Sequence, residues 1–210
     1  MDEAVDRPLR VSADASARRV CALVPVKQRE QCKTRLASEL TRQARIALVR
    51  SMLSAVLEAA REAQLIYETA VISPERDALP AEISLLADAG ESLNAALTQA
   101  YGKMWRRGWR EFVILPADLP RICPEEIDAL VRAGRVSGFA LAPDRAGTGT
   151  NGLYLASRPP FAFQFGSDSC RRHLQEARRL GLAPRLVDLP GLAFDVDTPA
   201  DLAQWQPIYA

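Results

Sequence analysis

The sequence predicts a single-domain α/β protein with a mostly parallel central sheet and helices on both faces. Short apolar runs alternate with segments of helical periodicity, which is the pattern of strands joined by crossover helices. With 210 residues, 48% of them hydrophobic, the chain can bury a core within one domain. No internal repeat or low-complexity linker divides it. We therefore predict a mobile, disordered tail over residues 1–18 and one domain over residues 19–207.

The first half of the chain shows this alternation clearly. A buried strand is predicted by "RRVCALVPVK", and the next segment repeats apolar residues at a spacing of three and four, as in Ile46, Val49 and Leu53. Gly108 is a typical helix stop. The predicted elements are a strand at 18–27, a helix at 41–63, strands at 69–74 and 83–88, and a helix at 92–108.

The second half begins with the most apolar strand, in "REFVILPADLP", and continues with shorter elements. Their close spacing predicts a mixed edge or a small antiparallel flap. The predicted elements are a strand at 110–120, a helix at 124–134, strands at 138–144 and 151–156, a helix at 167–181, strands at 185–190 and 192–197, and a short helix from Pro199.

Composition excludes several classes of function. The 27 basic side chains nearly cancel the 26 acidic ones, so the whole molecule does not attract nucleic acid or an anionic membrane. No apolar run approaches the roughly 20 residues that cross a bilayer, and we expect a cytoplasmic protein. The four cysteines lack C-x-x-C spacing, which disfavours a zinc finger or a disulfide framework. His173 lies on a charged helix, so we expect a solvated surface residue and disfavour Ser-His-Asp hydrolysis.

Two aspartates stand one residue apart in "FDVDTPADL", on the last predicted strand. Strand side chains alternate, so Asp195 and Asp197 should point to the same side. Like charges held that close repel unless a cation lies between them, which makes the pair a candidate for a hard divalent metal. A simpler alternative is that one aspartate serves the helix start, where Thr198 is a good N-cap and Asp201 occupies the third helical position.

A basic loop, "PVKQREQCKTRL", follows the first strand. Lys27, Arg29, Lys33 and Arg35 would repel one another unless an anion such as a triphosphate neutralised them. The alternative is a solvated basic loop. Neither a P-loop nor a G-x-G-x-x-G fingerprint is present, so the local sequence does not indicate an ATPase or a dinucleotide-binding protein.

Asp118, in "ILPADLP", ends an apolar strand, where burying an unpaired charge would cost free energy. Pro116 and Pro120 fix the backbone around it. The aspartate could cap a turn, but ligands of such sheets collect beyond the carboxyl ends of the strands, where Asp118 is predicted to lie.

Two further loops offer hydrogen-bond donors at the same edge. "APDRAGTGTNGL" combines two glycines with Thr150, and "QFGSDSCRRH" places Gly166 and Ser169 at a helix start, where N–H groups and the helix dipole favour an anion. An ordinary hairpin turn and N-capping by Ser167 or Asp168 are the alternatives. Together the anion-binding loops and the three aspartates describe two anions bridged by a metal.

Several of these motifs occur in an order that resembles one enzyme family. "LVPVK", "KTRL", "LNAAL", "LPADLP", "APDRAGTGTN", "FGSDSCRRHLQEA" and "DVDTPADL" look like the guanylyltransferases that activate 2-phospho-L-lactate, phosphoenolpyruvate or 3-phospho-D-glycerate on the route to coenzyme F-420. The match runs from about residue 20 to residue 203. It implies a Rossmann-like, nucleotide-diphospho-sugar transferase-like fold, GTP as donor, Mg²⁺ as cofactor and pyrophosphate as leaving group.

The resemblance also implies residue roles. The metal would be held by Asp118, Asp195 and Asp197, which with Lys27 form the catalytic set. The acceptor would be bound by Thr150, Gly166 and Ser169. The nucleotide would be bound by Lys27, Lys33, Arg35, Asn94, Pro116 and Asp118, with Asn94 near the guanosine.

The chain departs from the family at two places. Glu91 and Ser92 stand where a pair of glycines is expected, and Ser167, Asp168 and Cys170 replace proline, glycine and a large aromatic residue in the acceptor loop. An aspartate beside an anion is costly unless it accepts a hydrogen bond, which predicts a larger, hydroxylated acceptor such as 3-phospho-D-glycerate.

Other interpretations stay open at this point. They are a cytidylyltransferase or sugar-phosphate nucleotidyltransferase of the same fold, and a nucleotide-binding module without catalysis. The expected product is a labile mixed anhydride, so direct transfer to the next transferase of the pathway is conceivable. A homodimer is a further partner hypothesis.

Overall fold

The computed structural model describes residues 19–26, 33–74, 79–80, 83–87 and 92–205. The predicted tail over 1–18 and the end of the predicted domain lie outside them. Within these ranges seven strands form, in chain order: β1 Val20–Pro25, β2 Ile66–Ser73, β3 Ser84–Ala87, β4 Glu111–Ile114, β5 Phe139–Pro143, β6 Thr150–Leu155 and β7 Arg185–Leu186. The helices are α1 Arg42–Glu62, α2 Leu93–Arg106, α3 Pro124–Arg135, α4 Ser169–Arg179, α5 Pro190–Ala193 and α6 Pro199–Trp205.

The strands form one sheet in the order β3-β2-β1-β4-β6-β5-β7. Strands β1 to β4 pair in parallel, and β5 pairs in parallel with β7. Strand β6 is antiparallel to both of its neighbours, β4 and β5. The mostly parallel sheet is confirmed, but the antiparallel strand lies inside the sheet rather than at the edge where we predicted it.

Helices cover both faces of this sheet, as predicted. Along β1, Ala22 and Val24 pack into a core with α1, α3 and α5, whereas Cys21 and Leu23 pack on the opposite side with α2 and α4. A strand that is buried on both faces is apolar throughout, which explains the continuous run in β1. No helix in the described part of the chain is long and apolar enough to cross a membrane.

A third, smaller cluster brings two distant parts of the chain together. Leu36 and Met52 pack against Phe194, Val196 and Leu202. The end of the basic loop and helix α1 are thereby held against the segment that carries Asp195 and Asp197. This packing places cationic and anionic side chains at the same edge of the sheet.

The strand predicted over 192–197 does not form. Pro190 begins the short helix α5, and the Glu126 carboxylate accepts the backbone N–H groups of Gly191 and Leu192 at 2.8 Å each. Residues 194–197 then run outside the sheet, yet they keep the alternation of buried and half-buried side chains. The predicted strand over 110–120 is also too long, because β4 ends at Ile114 and the following loop carries Asp118.

Candidate active site

A cleft of about 680 Å³ opens at the carboxyl ends of the parallel strands. It lies where open α/β sheets bind their ligands. The first residues of β6 lie at the same edge, because β6 runs antiparallel to β4. Nine of the predicted site residues line this cleft: Lys33, Arg35, Pro116, Asp118, Thr150, Gly166, Ser169, Asp195 and Asp197.

The structure brings the three aspartates together. Lys33 Nζ donates to Asp118 Oδ2 and to Asp197 Oδ1, at 2.6 Å in each case, so these two oxygens lie within about 5 Å of each other. The backbone N–H of Val196 donates to the Asp118 carbonyl at 3.4 Å. Asp195 accepts from Asn151 Nδ2 at 3.4 Å. The expected convergence of the mid-chain and late carboxylates is therefore present.

Burial and neighbouring charges shift the pKa values of Asp195 and Lys33. Burial, and then the charges of Asp118 and Asp197, raise the pKa of Asp195. Burial alone would lower the pKa of Lys33, but the two carboxylates that it contacts outweigh that effect and raise it. The ammonium therefore stays charged. Lys33 contacts two of the three carboxylates, so among the described residues this cluster has an excess of negative charge, which favours another cation.

Carboxylate oxygens are the ligands that a hard cation such as Mg²⁺ prefers. Within the described ranges, however, no group of three or more acidic, histidine or cysteine side chains is arranged to enclose a metal ion. Lys33, whose side chain is 9% exposed, lies between Asp118 and Asp197 instead. The donor chemistry fits Mg²⁺, and a cation bound to both aspartates would take the place of this ammonium.

The start of α6 does not need either aspartate of the pair. Asp201 Oδ2 accepts the backbone N–H groups of Asp197 and Thr198, at 3.1 and 2.8 Å. Thr198 Oγ1 in turn accepts the N–H of Asp201 at 3.2 Å, which completes a reciprocal cap. The predicted helix start is confirmed, and the side chains of Asp195 and Asp197 remain available to the cleft.

Two arginines contact the segment that carries Asp195 and Asp197. The guanidinium groups of Arg121 and Arg145 lie 3.9 and 4.4 Å from the centroid of the Phe194 ring. Arg145 also forms an ion pair with Asp201. Such cation–π contacts stabilise partly buried aromatic rings. The sequence analysis missed this support, because the two arginines come from loops distant in sequence from Phe194.

The basic loop is described only in part. Lys27 and Arg29 lie outside the described residues, so their predicted contacts stay predictions. Lys33 adopts a left-handed backbone conformation, with φ of 55°, and precedes a short 3₁₀ helix at Thr34–Leu36. Its ammonium is bound to aspartates rather than held free for a triphosphate. Arg35 also lines the cleft.

The backbone geometry of the loop before β6 explains why glycines occur there. The Asp144 carboxylate accepts the backbone N–H of Thr148 at 2.8 Å, and Gly147 has φ of 72°, which few other residues adopt. A side chain at Gly149 would lie 2.6 Å from Asp144 Oδ2. The hairpin-turn alternative is therefore sufficient for the glycines, while Thr150 at the start of β6 lines the cleft.

The N-terminus of α4 meets the same cleft through Gly166 and Ser169. Asp168 precedes the helix with φ of 59° and makes no side-chain cap. Its carboxylate instead pairs with Arg171. This ion pair offsets the charge of Asp168 without a ligand hydroxyl. The physical reason for expecting a hydroxylated acceptor is therefore removed.

Asn94 supports the loop beside the cleft, and its predicted place near the guanosine stays a prediction. Its Nδ2 donates to the Phe165 carbonyl at 3.2 Å, and its Oδ1 accepts the Phe165 N–H at 2.8 Å. Asn94 thus fixes the backbone beside Gly166. Ser92, one of the departures from the family, caps α2 by accepting the Ala95 N–H at 3.1 Å.

The prediction that His173 is a solvated surface residue is wrong. The side chain is fully buried, at 0% exposure, and burial lowers its pKa to about 4 although Glu176 acts in the opposite direction. Nδ1 lies 3.0 Å from Thr150 Oγ1, and Nε2 accepts the backbone N–H of Gln164 at 2.9 Å. The charged neighbours of His173 hid the signal, which is the inward spacing of Cys170, His173 and Ala177.

A depressed histidine pKa makes stability fall in acid. The unfolded imidazole binds a proton near pH 6.5, whereas the folded one does so only near pH 4. Stability is therefore complete above about pH 6.5 and is lost as the pH falls toward 4. We expect the free energy of unfolding, from urea titrations, to drop by roughly 2 kcal/mol between pH 7.5 and pH 5. His173→Asn should remove that drop, and an unchanged drop in the variant would contradict the assignment.

Solved structures with this architecture define the class of fold. A candidate nucleotide-diphospho-sugar transferase from Desulfovibrio desulfuricans G20 aligns with a TM-score of 0.72 at 20% identity, covering 87% of this chain and 84% of that one. 4-Diphosphocytidyl-2C-methyl-D-erythritol synthase from Anaerococcus prevotii aligns with a TM-score of 0.59 at 10% identity, covering 90% and 94%. The chain has the nucleotide-diphospho-sugar transferase-like fold that we expected.

Sequence comparison then gives the family. The family model "Guanylyl transferase CofC like" matches residues 20–205, and the chain belongs to that family. Phosphoenolpyruvate guanylyltransferase of Sphaerobacter thermophilus is 42% identical over 190 residues, covering 87% of this chain and 90% of the relative. The protein of the same name from Chloroflexus aggregans is 37% identical over 190 residues, covering 87% and 94%. The chain is thus a nucleotidyltransferase of the guanylyltransferase type.

Proposed function

We propose that this enzyme transfers GMP from GTP to the phosphate of phosphoenolpyruvate and releases pyrophosphate. The observation that carries the proposal is one cleft that joins the aspartate cluster to the hydroxyl-rich start of α4. Relatives named phosphoenolpyruvate guanylyltransferase support the acceptor. As the family resemblance implies, the product would enter the route to coenzyme F-420.

The reaction joins two polyanions. A phosphate oxygen of the acceptor attacks the α-phosphorus of GTP, the bond between that phosphorus and the oxygen bridging to the β-phosphate breaks, and pyrophosphate leaves. The second pKa of a phosphate monoester is about 6, so the attacking oxygen needs no strong base. The main task of the protein is to position the two phosphates and to offset their repulsion.

We assign this task to two groups of residues that line the cleft. Thr150 and Ser169 offer hydroxyl groups, and Gly166 lets the backbone approach the acceptor closely. Arg35, two residues after Lys33, can attract the triphosphate. We assign a Mg²⁺ site to Asp118, Asp195 and Asp197. When bound, Mg²⁺ would neutralise charge on the reacting phosphates.

The names of the relatives favour phosphoenolpyruvate, and the state of Asp168 does not call for a hydroxylated acid. Its carboxylate is already paired with Arg171, so it does not require a hydroxyl donor from the substrate. 3-Phospho-D-glycerate and 2-phospho-L-lactate are the other acceptors that the family resemblance implies. They serve as the comparison substrates in the test.

The test measures pyrophosphate release by the purified protein with GTP, Mg²⁺ and each of the three acids. We expect kcat/KM for phosphoenolpyruvate to exceed that for either other acid by about tenfold or more. Replacing GTP by CTP tests the cytidylyltransferase alternative. A preference for CTP, or faster turnover of 3-phospho-D-glycerate, would contradict the proposal. GTP binding without pyrophosphate release from any acid would favour a non-catalytic module.

A further inference from the structure

We propose that His173 is a positioning residue that makes the Thr150 hydroxyl a hydrogen-bond donor toward the anionic acceptor. The inference rests on the proposed function for the identity of that acceptor, a small phosphorylated acid. The evidence for it is the pair of hydrogen bonds made by the two ring nitrogens, together with the position of Thr150 in the cleft.

The tautomer of His173 follows from its backbone partner. The N–H of Gln164 can only donate, and it lies 2.9 Å from Nε2, so Nε2 must carry the lone pair. An uncharged imidazole then carries its proton on Nδ1. Because Nδ1 is 3.0 Å from Thr150 Oγ1, the ring donates and the threonine oxygen accepts.

This bond decides where the hydroxyl hydrogen of Thr150 can go. An oxygen that accepts from the ring must direct its own hydrogen elsewhere. Thr150 is 5% exposed, and its surroundings include the cleft at the start of α4. Within the described ranges no other side-chain hydrogen bond of Thr150 is found. The hydroxyl is therefore free to donate to a phosphate or carboxylate oxygen.

The surroundings of His173 hold the ring in this state. Phe161 and Phe165 lie beside it, with ring centroids 6.1 and 4.8 Å from that of the imidazole. Their apolar rings disfavour a charged imidazolium. The bond to Gln164 also fixes the loop that leads to Gly166, and Asn94 fixes the next residue, Phe165. The histidine thus connects the threonine hydroxyl to the loop that leads to Gly166.

The opposite tautomer would be unfavourable for this substrate class. The Thr150 hydroxyl would then donate to the ring and present only lone pairs to an anion. A buried acceptor that faces another acceptor loses a hydrogen bond and adds repulsion. Correct orientation of a single hydroxyl can therefore determine how well the acceptor binds, while GTP binding is unaffected.

Two substitutions separate the bonds of the ring. In His173→Asn the amide nitrogen can replace Nδ1 as the donor to Thr150, whereas in His173→Gln the amide oxygen can replace Nε2 as the acceptor for Gln164. We expect His173→Gln to raise the KM for phosphoenolpyruvate by about tenfold, with the KM for GTP changed less than about twofold. His173→Asn, which keeps a donor to Thr150, should retain most of the affinity for phosphoenolpyruvate.

The variant Thr150→Val tests whether His173 affects acceptor binding through Thr150. If His173 acts through Thr150, the double variant Thr150→Val with His173→Gln should bind the acceptor no more weakly than Thr150→Val alone. Additive effects of the two substitutions, or equal increases in the KM values for both substrates, would overturn the proposal. Pyrophosphate release by the unaltered enzyme, measured first, shows separately whether the proposed function holds.

A measurement on the unaltered protein decides the tautomer whatever the variants or substrates do. His173 is the only histidine in the sequence, so histidine labelled with ¹⁵N gives one imidazole in a tag-free protein. At pH 7 we expect a neutral ring with its proton on Nδ1. A proton on Nε2, or a charged ring, would overturn the proposal even if the guanylyltransferase reaction is confirmed.

Discussion

Asp195→Asn is expected to lower the rate of pyrophosphate release by about 1,000-fold or more, which corresponds to roughly 4 kcal/mol of transition-state stabilisation. Asp195 lies beside Asp118 and Asp197, and burial followed by the charges of these two aspartates raises its pKa. Asparagine keeps the shape of the side chain but removes the charge that the proposed Mg²⁺ site needs. The measurement is kcat/KM with GTP, phosphoenolpyruvate and a range of Mg²⁺ concentrations.

The same variant should not lose stability. A raised carboxyl pKa means that the folded protein disfavours the charged form, so its removal relieves repulsion. We expect the free energy of unfolding to be unchanged or slightly higher. Asp188→Asn, at an exposed aspartate away from the cleft, is the matched control and should leave activity unchanged. Full activity of Asp195→Asn with an unaltered Mg²⁺ requirement would remove Asp195 from the site.

Lys33→Met should make stability depend on Mg²⁺. The substitution leaves Asp118 and Asp197 close together without the ammonium that bridges them. Because these carboxylates are 31% and 46% exposed, solvent screens part of the repulsion, and we expect a loss of about 2 kcal/mol without divalent cation. Added Mg²⁺ should then stabilise this variant more than it stabilises the unaltered protein, because the position between the carboxylates is free.

Urea unfolding with and without Mg²⁺ gives both quantities. Lys103→Met, at an exposed position on α2, serves as the control for loss of a lysine charge. It should behave like the unaltered protein in both conditions. An equal effect of Mg²⁺ on all three proteins would mean that the cation does not bind where Lys33 now lies. Turnover by Lys33→Met should also fall, since the family resemblance assigns Lys33 to the triphosphate.

Much of the fold could be predicted from local patterns. Apolar runs and helical spacing gave the strands β1 to β6 and the long helices, because burial imposes those periods on the sequence. The pattern over 192–197 misled us, because any extended segment with one buried side alternates in this way. Pairing with the sheet is what distinguishes a strand. Here the Glu126 carboxylate, from a distant part of the chain, instead caps a short helix at Gly191.

Site residues could be predicted where a charged residue follows a strand end. They could not be predicted where their role depends on contacts with residues distant in sequence. Asp118 was found because the edge of a parallel sheet collects ligands. Asn94 contacts Phe165, which is 71 positions away, and nothing in the local sequence of either residue indicates that contact. His173 was misjudged because its neighbours in sequence are charged, whereas its neighbours in space are Thr150 and aromatic rings.

The central claim is that the cluster of aspartates binds the cation that brings the two phosphates together. The most direct measurement is anomalous diffraction from crystals grown with Mn²⁺ in place of Mg²⁺, together with GTP. We expect the Mn²⁺ peak to be coordinated by oxygens of Asp195 and at least one of Asp118 and Asp197, with Lys33 displaced toward the triphosphate. A Mn²⁺ peak away from these carboxylates, with Lys33 still bridging Asp118 and Asp197 beside bound GTP, would contradict the claim.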